Sequence, residues 1–258
     1  MIKHDIRQAI CNLYFPVAVL VMVVFLLYGD YEDIFYGGSD GLLGMLQYSS
    51  TLSYVPYMIP IVAALPYAGA LQEELRSGYG YSTLSRSSKT AYLRGKILTA
   101  MGSGAAVMLL ASILFLIIAG NCTHYGFTIG GYEIFNHYGT LQSMIEGKQM
   151  ILVLVIKIVL LSFYAAFWSL LSLVCVVMAK NQYLALAFPF FANLVIRYCV
   201  AYLHLFYLHP FYHTLSGYVL FPKAKMAGIP ISVGYFIVSY FLLGWLFGKK
   251  MEDKWKNE

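Results

Sequence analysis

The feature that most constrains this chain is a series of six long apolar runs. Each has the length, about 20 residues, that a helix needs to cross the roughly 30 Å hydrocarbon core of a membrane. The runs cover residues 9–29, 51–71, 97–120, 149–178, 183–205 and 231–248. Only 11% of the residues are charged, against about 25% in ordinary soluble domains. The sequence therefore predicts an all-α integral membrane protein with a single domain over residues 1–258, because helices satisfy their own backbone in lipid.

The basic residues lie unevenly between these runs, and their distribution predicts the orientation. Placing both termini in the cytoplasm puts twelve Lys and Arg residues inside and three outside, as the positive-inside rule requires. The three outside are Lys148, Lys223 and Lys225. The outer connection 30–50 carries four carboxylates and no basic residue. We therefore expect six spans with both termini in the cytoplasm.

The stretch 72–96, between the second and third runs, holds five of the seventeen basic residues. It is far longer than the connection of about 2–8 residues that joins neighbouring helices in bundles. An acidic pair, Glu73 and Glu74, is followed by a glycine-punctuated break and then by Ser87 and Ser88, either of which can cap the next helix. A basic loop that only faces anionic headgroups would carry similar charges. The length and the order of the pattern favour a docking segment.

The residues of this stretch match the pattern of a known family. The matching positions are Glu74, Gly78, Leu84, Ser85, Arg86, Tyr92, Leu93, Gly95 and Lys96. In them the chain resembles the permease subunits of type-2 ATP-binding-cassette (ABC) exporters. It departs from the pattern in having Tyr79 where Thr is common, and Ser where Pro is frequent near Ser87. The resemblance extends to the topology, with six spans and a long outer loop between the last two.

The resemblance implies that the stretch contains a short coupling helix, which sits in a cleft of a nucleotide-binding subunit. The predicted docking residues are Glu73, Glu74, Arg76, Gly78, Leu84, Ser85 and Arg86. The chain has no G-x-x-x-x-G-K-[ST] motif, so ATP and Mg²⁺ are expected only in the partner. The expected partners are two ATPase subunits, a second permease copy or paralogue, and lipid, with no nucleic acid. The implied location is the cytoplasmic membrane of a bacterium.

Two basic residues lie inside the runs, about eight residues from their outer ends. At 1.5 Å per residue, Lys157 and Arg197 are roughly 12 Å below the outer surface. Two interpretations are open: the side chains snorkel or bind a backbone carbonyl, or they line a cavity that meets an anionic group on the cargo. In the resembled family the fifth span borders the translocation path, which makes Phe190, Phe191, Asn193 and Arg197 candidates for that border.

The segment 204–230 is too apolar for a solvated loop, and we expect short re-entrant helices there. His204, His209 and His213 are spaced in a way that suits a metal pair on a helix. No Asp, Glu or Cys lies near them in the sequence. Aromatic packing is therefore favoured over a metal site.

Two other classes of function compete with an exporter subunit. A secondary transporter or channel usually has titratable groups at mid-membrane, and the six runs contain no Asp or Glu. An intramembrane enzyme is less favoured, because the EExxxR motif of a membrane protease family fails at Gly78 and no run carries a catalytic pair. We therefore expect a transport subunit without enzymatic activity, which moves an amphipathic peptide or a lipid-like cargo.

Overall fold

The computed structural model describes residues 2–36, 41–51, 53–78, 80, 88–122, 144, 149–179, 182–214 and 228–257. Within these ranges every regular element is helical, which confirms the all-α prediction. The α-helices are α1 (Ile2–Ile10), α2 (Tyr14–Gly29), α3 (Tyr31–Tyr36), α4 (Leu42–Thr51), α5 (Val55–Val62), α6 (Leu65–Arg76), α7 (Lys89–Cys122), α8 (Met150–Met178), α9 (Gln182–Tyr202) and α10 (Gly228–Asn257). Two 3-10 turns, Phe206–Leu208 and Pro210–Thr214, lie between α9 and α10.

Five stretches of the described chain are long and apolar enough to cross a membrane. They are Val55–Arg76 (α5 with α6), Lys89–Cys122, Met150–Met178, Tyr183–Tyr202 and Gly228–Lys256. These overlap the last five predicted runs and confirm the prediction of a helical membrane protein. The first predicted run is divided: α1 and α2 together are also long and apolar enough to cross a membrane, but they are bent by 46° at their junction.

Prolines explain why the second predicted run is two helices. Pro56 and Pro66 stand in the first turns of α5 and α6, and Pro60 lies inside α5. Proline has no backbone N–H, and its ring collides with the preceding helical turn. The helices meet at Ala63 and Ala64, between two of these prolines.

The antiparallel helices α7 and α8 form a close seam at the centre of the bundle. A Cβ on Gly104 would lie 2.6 Å from the Cβ of Ser169, so only glycine permits this approach. The Ser169 hydroxyl donates a hydrogen bond of 2.8 Å to the carbonyl of Ala100. The neighbouring rings of Trp168 and Tyr164 are fully buried. By contrast, only 22% of the apolar stretch of α9 and 11% of that of α10 are buried, so these two helices present most of their apolar side chains outward.

The connection 30–50 contains two helices that the sequence analysis did not predict. Nearly all of α4 is buried, and the hydroxyl of Ser49 donates to the carbonyl of Leu26 in α2 at 2.9 Å. The apolar residues of α4 are too few for a span, but they suffice to cover one side of α2. Helix α4 is therefore part of the core.

Helix α9 ends at Tyr202, three residues before the end of the predicted run. His204 adopts a positive φ of 54°. The N–H of Leu205 bonds to the carbonyl of Val200 at 3.0 Å, and the N–H of His204 bonds to that of Ala201 at 3.3 Å. This pair of bonds is the Schellman arrangement that terminates helices. It turns the chain back, so that the second 3-10 turn is buried in the bundle.

Candidate functional site

Three charged side chains from distant parts of the chain meet at the start of α7. The Lys96 ammonium donates to Asp5 Oδ1 of α1 at 2.9 Å and also to Glu74 Oε2 of α6. Lys96 is 2% exposed, Asp5 3% and Glu74 8%. Buried charges of this kind are tolerated when they are paired and hydrogen-bonded.

Aromatic rings enclose these charges. The Tyr92 hydroxyl donates to Glu74 Oε1 at 2.9 Å. The Lys96 ammonium lies 5.1 Å from the ring centre of Tyr92 and 5.9 Å from that of Tyr67. Tyr92 in turn packs edge-on against Trp255 of α10. We call Asp5, Glu74, Tyr92 and Lys96 the ion cluster; it joins α1, α6 and α7, with α10 packed against it.

The ion cluster contains Glu74, one of the predicted docking residues, but not the adjacent Glu73. Glu74 is buried, whereas Glu73 and Arg76 are exposed, and Gly78 has a φ of +73°, which favours glycine. Leu84, Ser85 and Arg86 lie outside the described residues. In this structure Glu74 therefore binds Lys96, whereas Glu73 and Arg76, of the docking residues that the structure describes, have side chains exposed to a partner.

Sequence reasoning missed Asp5 and the burial of Lys96. Lys96 was counted among the loop charges, and Asp5 lies 91 residues away in the sequence. The available signal was the position of Lys96, directly before the apolar run 97–120, where a charge needs a partner.

A groove of about 430 Å³ also opens along α1; His4, Arg7, Gln8, Cys11 and Asn12 line it.

A second group of polar residues surrounds the 3-10 turn Pro210–Thr214. The fully buried ammonium of Lys157 donates to the carbonyl of Thr214 at 2.7 Å. This contact corresponds to one of the two interpretations of the sequence, in which the basic side chain snorkels or binds a backbone carbonyl. We call Lys157, Tyr164, Asn193, Arg197, His209 and Thr214 the polar cluster.

Asn193 and Tyr164 satisfy a backbone carbonyl that proline leaves without a helical donor. The carbonyl of Pro56 would accept from the N–H of residue 60, but Pro60 has none. The Asn193 amide donates to this carbonyl at 3.2 Å, and the Tyr164 hydroxyl lies 3.3 Å from it and 3.1 Å from Asn193 Oδ1. These side chains connect α5, α8 and α9.

The guanidinium of Arg197 contacts two aromatic rings. Its central carbon is 4.5 Å from the ring centre of Tyr57 in α5 and 4.7 Å from that of Phe211 in the 3-10 turn. Cations are attracted to ring faces at such distances. Neither contact uses the N–H groups along the edge of the guanidinium.

Two histidines of the segment between α9 and α10, His209 and His213, pack against aromatic rings. His209 is fully buried, and its Nδ1 accepts from the N–H of Phe211 at 3.1 Å. Burial, together with the nearby charge of Arg197, lowers the pKa of His209 from its usual range to about 4, so its ring is neutral near pH 7. The ring of His213 stacks on Tyr235 at 4.0 Å.

The remaining candidates on α9 face different ways. Phe191 is 56% exposed, whereas Asn193 is fully buried. Phe190 is half-buried and contacts Phe191 edge-on. Of the five predicted path residues, the structure brings only Lys157, Asn193 and Arg197 together in the polar cluster.

The apolar helices and the two buried clusters define a helical membrane protein. In comparisons with protein-family models, curated proteins and solved structures, no match to this chain was found. A more specific function therefore has to be argued from the two clusters and the sequence pattern.

Proposed function

We propose that this chain is the membrane-spanning subunit of a type-2 ABC exporter. In this proposal α1 and α2 form the first of six spans, and both termini lie in the cytoplasm. Two such subunits, or this one and a paralogue, act in the cytoplasmic membrane with two ATPase subunits that bind ATP and Mg²⁺. An amphipathic cargo, a peptide or a lipid-like molecule, passes between the two permeases.

The observation that carries the proposal is the ion cluster, because it joins residues that precede the stretch 77–88 to residues that follow it. The chain leaves α6 just after Glu74 and enters α7 just before Tyr92 and Lys96, and these side chains are bonded to one another. Asp5 adds α1 to the same unit. Displacing the stretch would move α6, α7 and α1 together, which is what a coupling segment must do to transmit a partner's motion to the spans.

The proposal assigns different roles to the predicted docking residues. Glu73 and Arg76 are exposed next to the stretch and would make polar contacts with the ATPase, together with Ser85 and Arg86. Leu84 would add an apolar contact. Glu74 is a positioning residue, which holds the stretch through Lys96. At the other end of the bundle, the border of the translocation path would be formed by α9 with Phe190, Phe191, Asn193 and Arg197.

The decisive experiment is a detergent pull-down of the tagged chain from its native membrane, with mass spectrometry and an ATPase assay. We expect a stoichiometric nucleotide-binding subunit in the wild type, and loss of that subunit and of ATPase activity on Leu84→Glu or Arg86→Glu. Lys256→Glu is the matched control, because it reverses an exposed charge in the C-terminal part of α10, on the side of the bundle where Trp255 packs against the ion cluster.

A chain that purifies alone or as a homo-oligomer, without an ATPase, would overturn the proposal. The secondary transporter or channel would then be the better hypothesis. Retention of the ATPase by both Leu84→Glu and Arg86→Glu would keep the exporter but remove the docking assignment from this stretch.

A further inference from the structure

The side chain of Arg197 is fixed at a junction of three elements. The central carbon of its guanidinium lies 4.5 Å from the ring centre of Tyr57 in α5 and 4.7 Å from that of Phe211 in the 3-10 turn. The residue itself belongs to α9. Contact with two rings restricts the movement of the guanidinium before any ligand arrives.

Those N–H groups have no acceptor within the part of the chain that the structure describes. No hydrogen bond from Arg197 is present there, and both ion pairs found there belong to Lys96. An arginine side chain stays protonated in proteins and carries five N–H donors. Donors left without acceptors in an apolar environment are costly, so the site favours an anion.

Lys157, the other basic residue of the polar cluster, is a poorer candidate for the same role. It is 0% exposed, and its ammonium already binds the carbonyl of Thr214. Arg197 is half-buried on a helix that is otherwise largely exposed. A ligand can therefore reach Arg197 from the outer side of α9 without unpacking the core.

The chemistry around Arg197 indicates what the ligand is. A guanidinium edge pairs in bidentate fashion with carboxylates and phosphates. On the same face of α9, about one turn to either side of Arg197, the half-buried Leu194 and the exposed Ala201 offer an apolar surface for a hydrocarbon chain. We propose that Arg197 binds the phosphate or carboxylate head of an anionic amphiphile.

This inference rests on the proposed function only in one respect: in an exporter the ligand would be the cargo, which assigns the cargo an anionic head. The same head chemistry is present in anionic membrane lipids. The binding site itself requires neither an ATPase nor transport. Its test therefore uses the purified full-length chain alone, and its failure would leave the pull-down result unaffected.

The test measures thermal unfolding of the chain in dodecyl maltoside, an uncharged detergent, while dodecyl phosphate is added. We expect the wild type to show a saturable rise in Tm. Arg197→Gln should require at least about tenfold more dodecyl phosphate for the same half-maximal rise, because a charged hydrogen-bonded pair is lost. Arg94→Gln, which removes an exposed charge near the start of α7, should behave as the wild type does.

Two further variants keep the test decisive if Arg197→Gln fails to fold. Arg197→Lys retains the positive charge but loses the planar guanidinium, and Tyr57→Leu removes one of the two rings that contact it. Both should weaken the response to dodecyl phosphate. An unchanged response in Arg197→Gln, or in Arg197→Lys and Tyr57→Leu together, would overturn the proposal. Dodecyl phosphate would then bind without the guanidinium of Arg197 and its ring contacts.

A second measurement distinguishes the two sources of the anionic head. The chain is placed in nanodiscs of phosphatidylglycerol and phosphatidylcholine, and the lipids that it retains are identified by native mass spectrometry. Preferential retention of phosphatidylglycerol that Arg197→Gln abolishes would identify a membrane lipid as the ligand. Dodecyl phosphate binding without such retention would identify a cargo headgroup.

Discussion

The ion cluster holds one basic side chain between two carboxylates, whereas the polar cluster holds two basic side chains and, among the described residues, no carboxylate. Lys96 binds Asp5 and Glu74 directly. Lys157 binds a backbone carbonyl, and Arg197 contacts two aromatic rings. The first arrangement compensates its charge within the chain. The second arrangement leaves the charge of Arg197 available to an anionic group from outside the chain.

The two clusters lie far apart along the same pair of helices. Ser169 of α8 is level with Ala100 of α7, because its hydroxyl bonds to that carbonyl. Lys96 is four residues before Ala100, and Lys157 is twelve residues before Ser169 on the antiparallel helix. At 1.5 Å per residue this places the clusters roughly 24 Å apart. We infer that a docked partner acts at one end and a ligand at the other, with the α7–α8 seam between them.

The largest expected effect is that of Lys96→Met. The change leaves Asp5 and Glu74 buried side by side without a cation, and breaking a buried ion pair costs about 3–5 kcal/mol. Thermal or denaturant unfolding in detergent measures the loss. The control is the triple variant Asp5→Asn, Glu74→Gln, Lys96→Met, which removes all the charges. We expect it to recover most of the stability, since replacing a complete buried ion pair is often neutral.

If the triple variant is as unstable as Lys96→Met, the ion cluster acts through the packing of its side chains and not through charge. The contrast between the two clusters would then no longer hold.

The sequence predicted the apolar helices and several polar residues, but not the contacts that join them. Length and apolarity alone identify a span, because lipid imposes both on any helix that crosses it. That is why the last five runs were found. The bend between α1 and α2 was missed, because the break at residues 11–13 falls inside the run 9–29 and contains no charged residue or proline that would mark it.

Contacts across the fold were harder to predict, because a single sequence carries no information on pairing. Lys157, Asn193 and Arg197 stood out as polar residues in apolar runs, but their partners Pro56 and Thr214 contribute backbone carbonyls that no sequence pattern marks. Asp5 was equally hidden. The helix α4 was predicted as a loop, since its apolar stretch is too short for a span and charged residues precede it.

The second prediction concerns the seam between the clusters. A Cβ on Gly104 would lie 2.6 Å from the Cβ of Ser169 and 3.1 Å from the carbonyl oxygen of Ala165, whereas a Cβ on Gly102 would meet nothing within 4 Å. We expect Gly104→Ala to force α7 and α8 apart and to cost about 1–3 kcal/mol. Gly102→Ala is the matched control and should be neutral or stabilising by up to about 1 kcal/mol, because alanine favours the helix.

Unfolding in detergent distinguishes the two glycine variants, and ATPase activity of the proposed complex would add a second readout. A stable Gly104→Ala would show that the helices can separate locally without loss of packing. The seam could not then be treated as the rigid connection between the ion cluster and the polar cluster.

The smallest expected effect comes from the polar cluster and tests why Asn193 is there. If Asn193 replaces the donor that Pro60 cannot supply, Asn193→Leu should destabilise the protein by about 1 kcal/mol, the scale of side-chain hydrogen bonds in membrane proteins. Pro60→Ala supplies an N–H to the carbonyl of Pro56. The loss caused by Asn193→Leu should therefore be smaller in a Pro60→Ala background, and a double-mutant cycle measures that coupling. Additive effects would mean that Asn193 stabilises the bundle through its bond with Tyr164. In that case the polar cluster, like the ion cluster, would depend on contacts between side chains, and the missing N–H of proline would not explain its position.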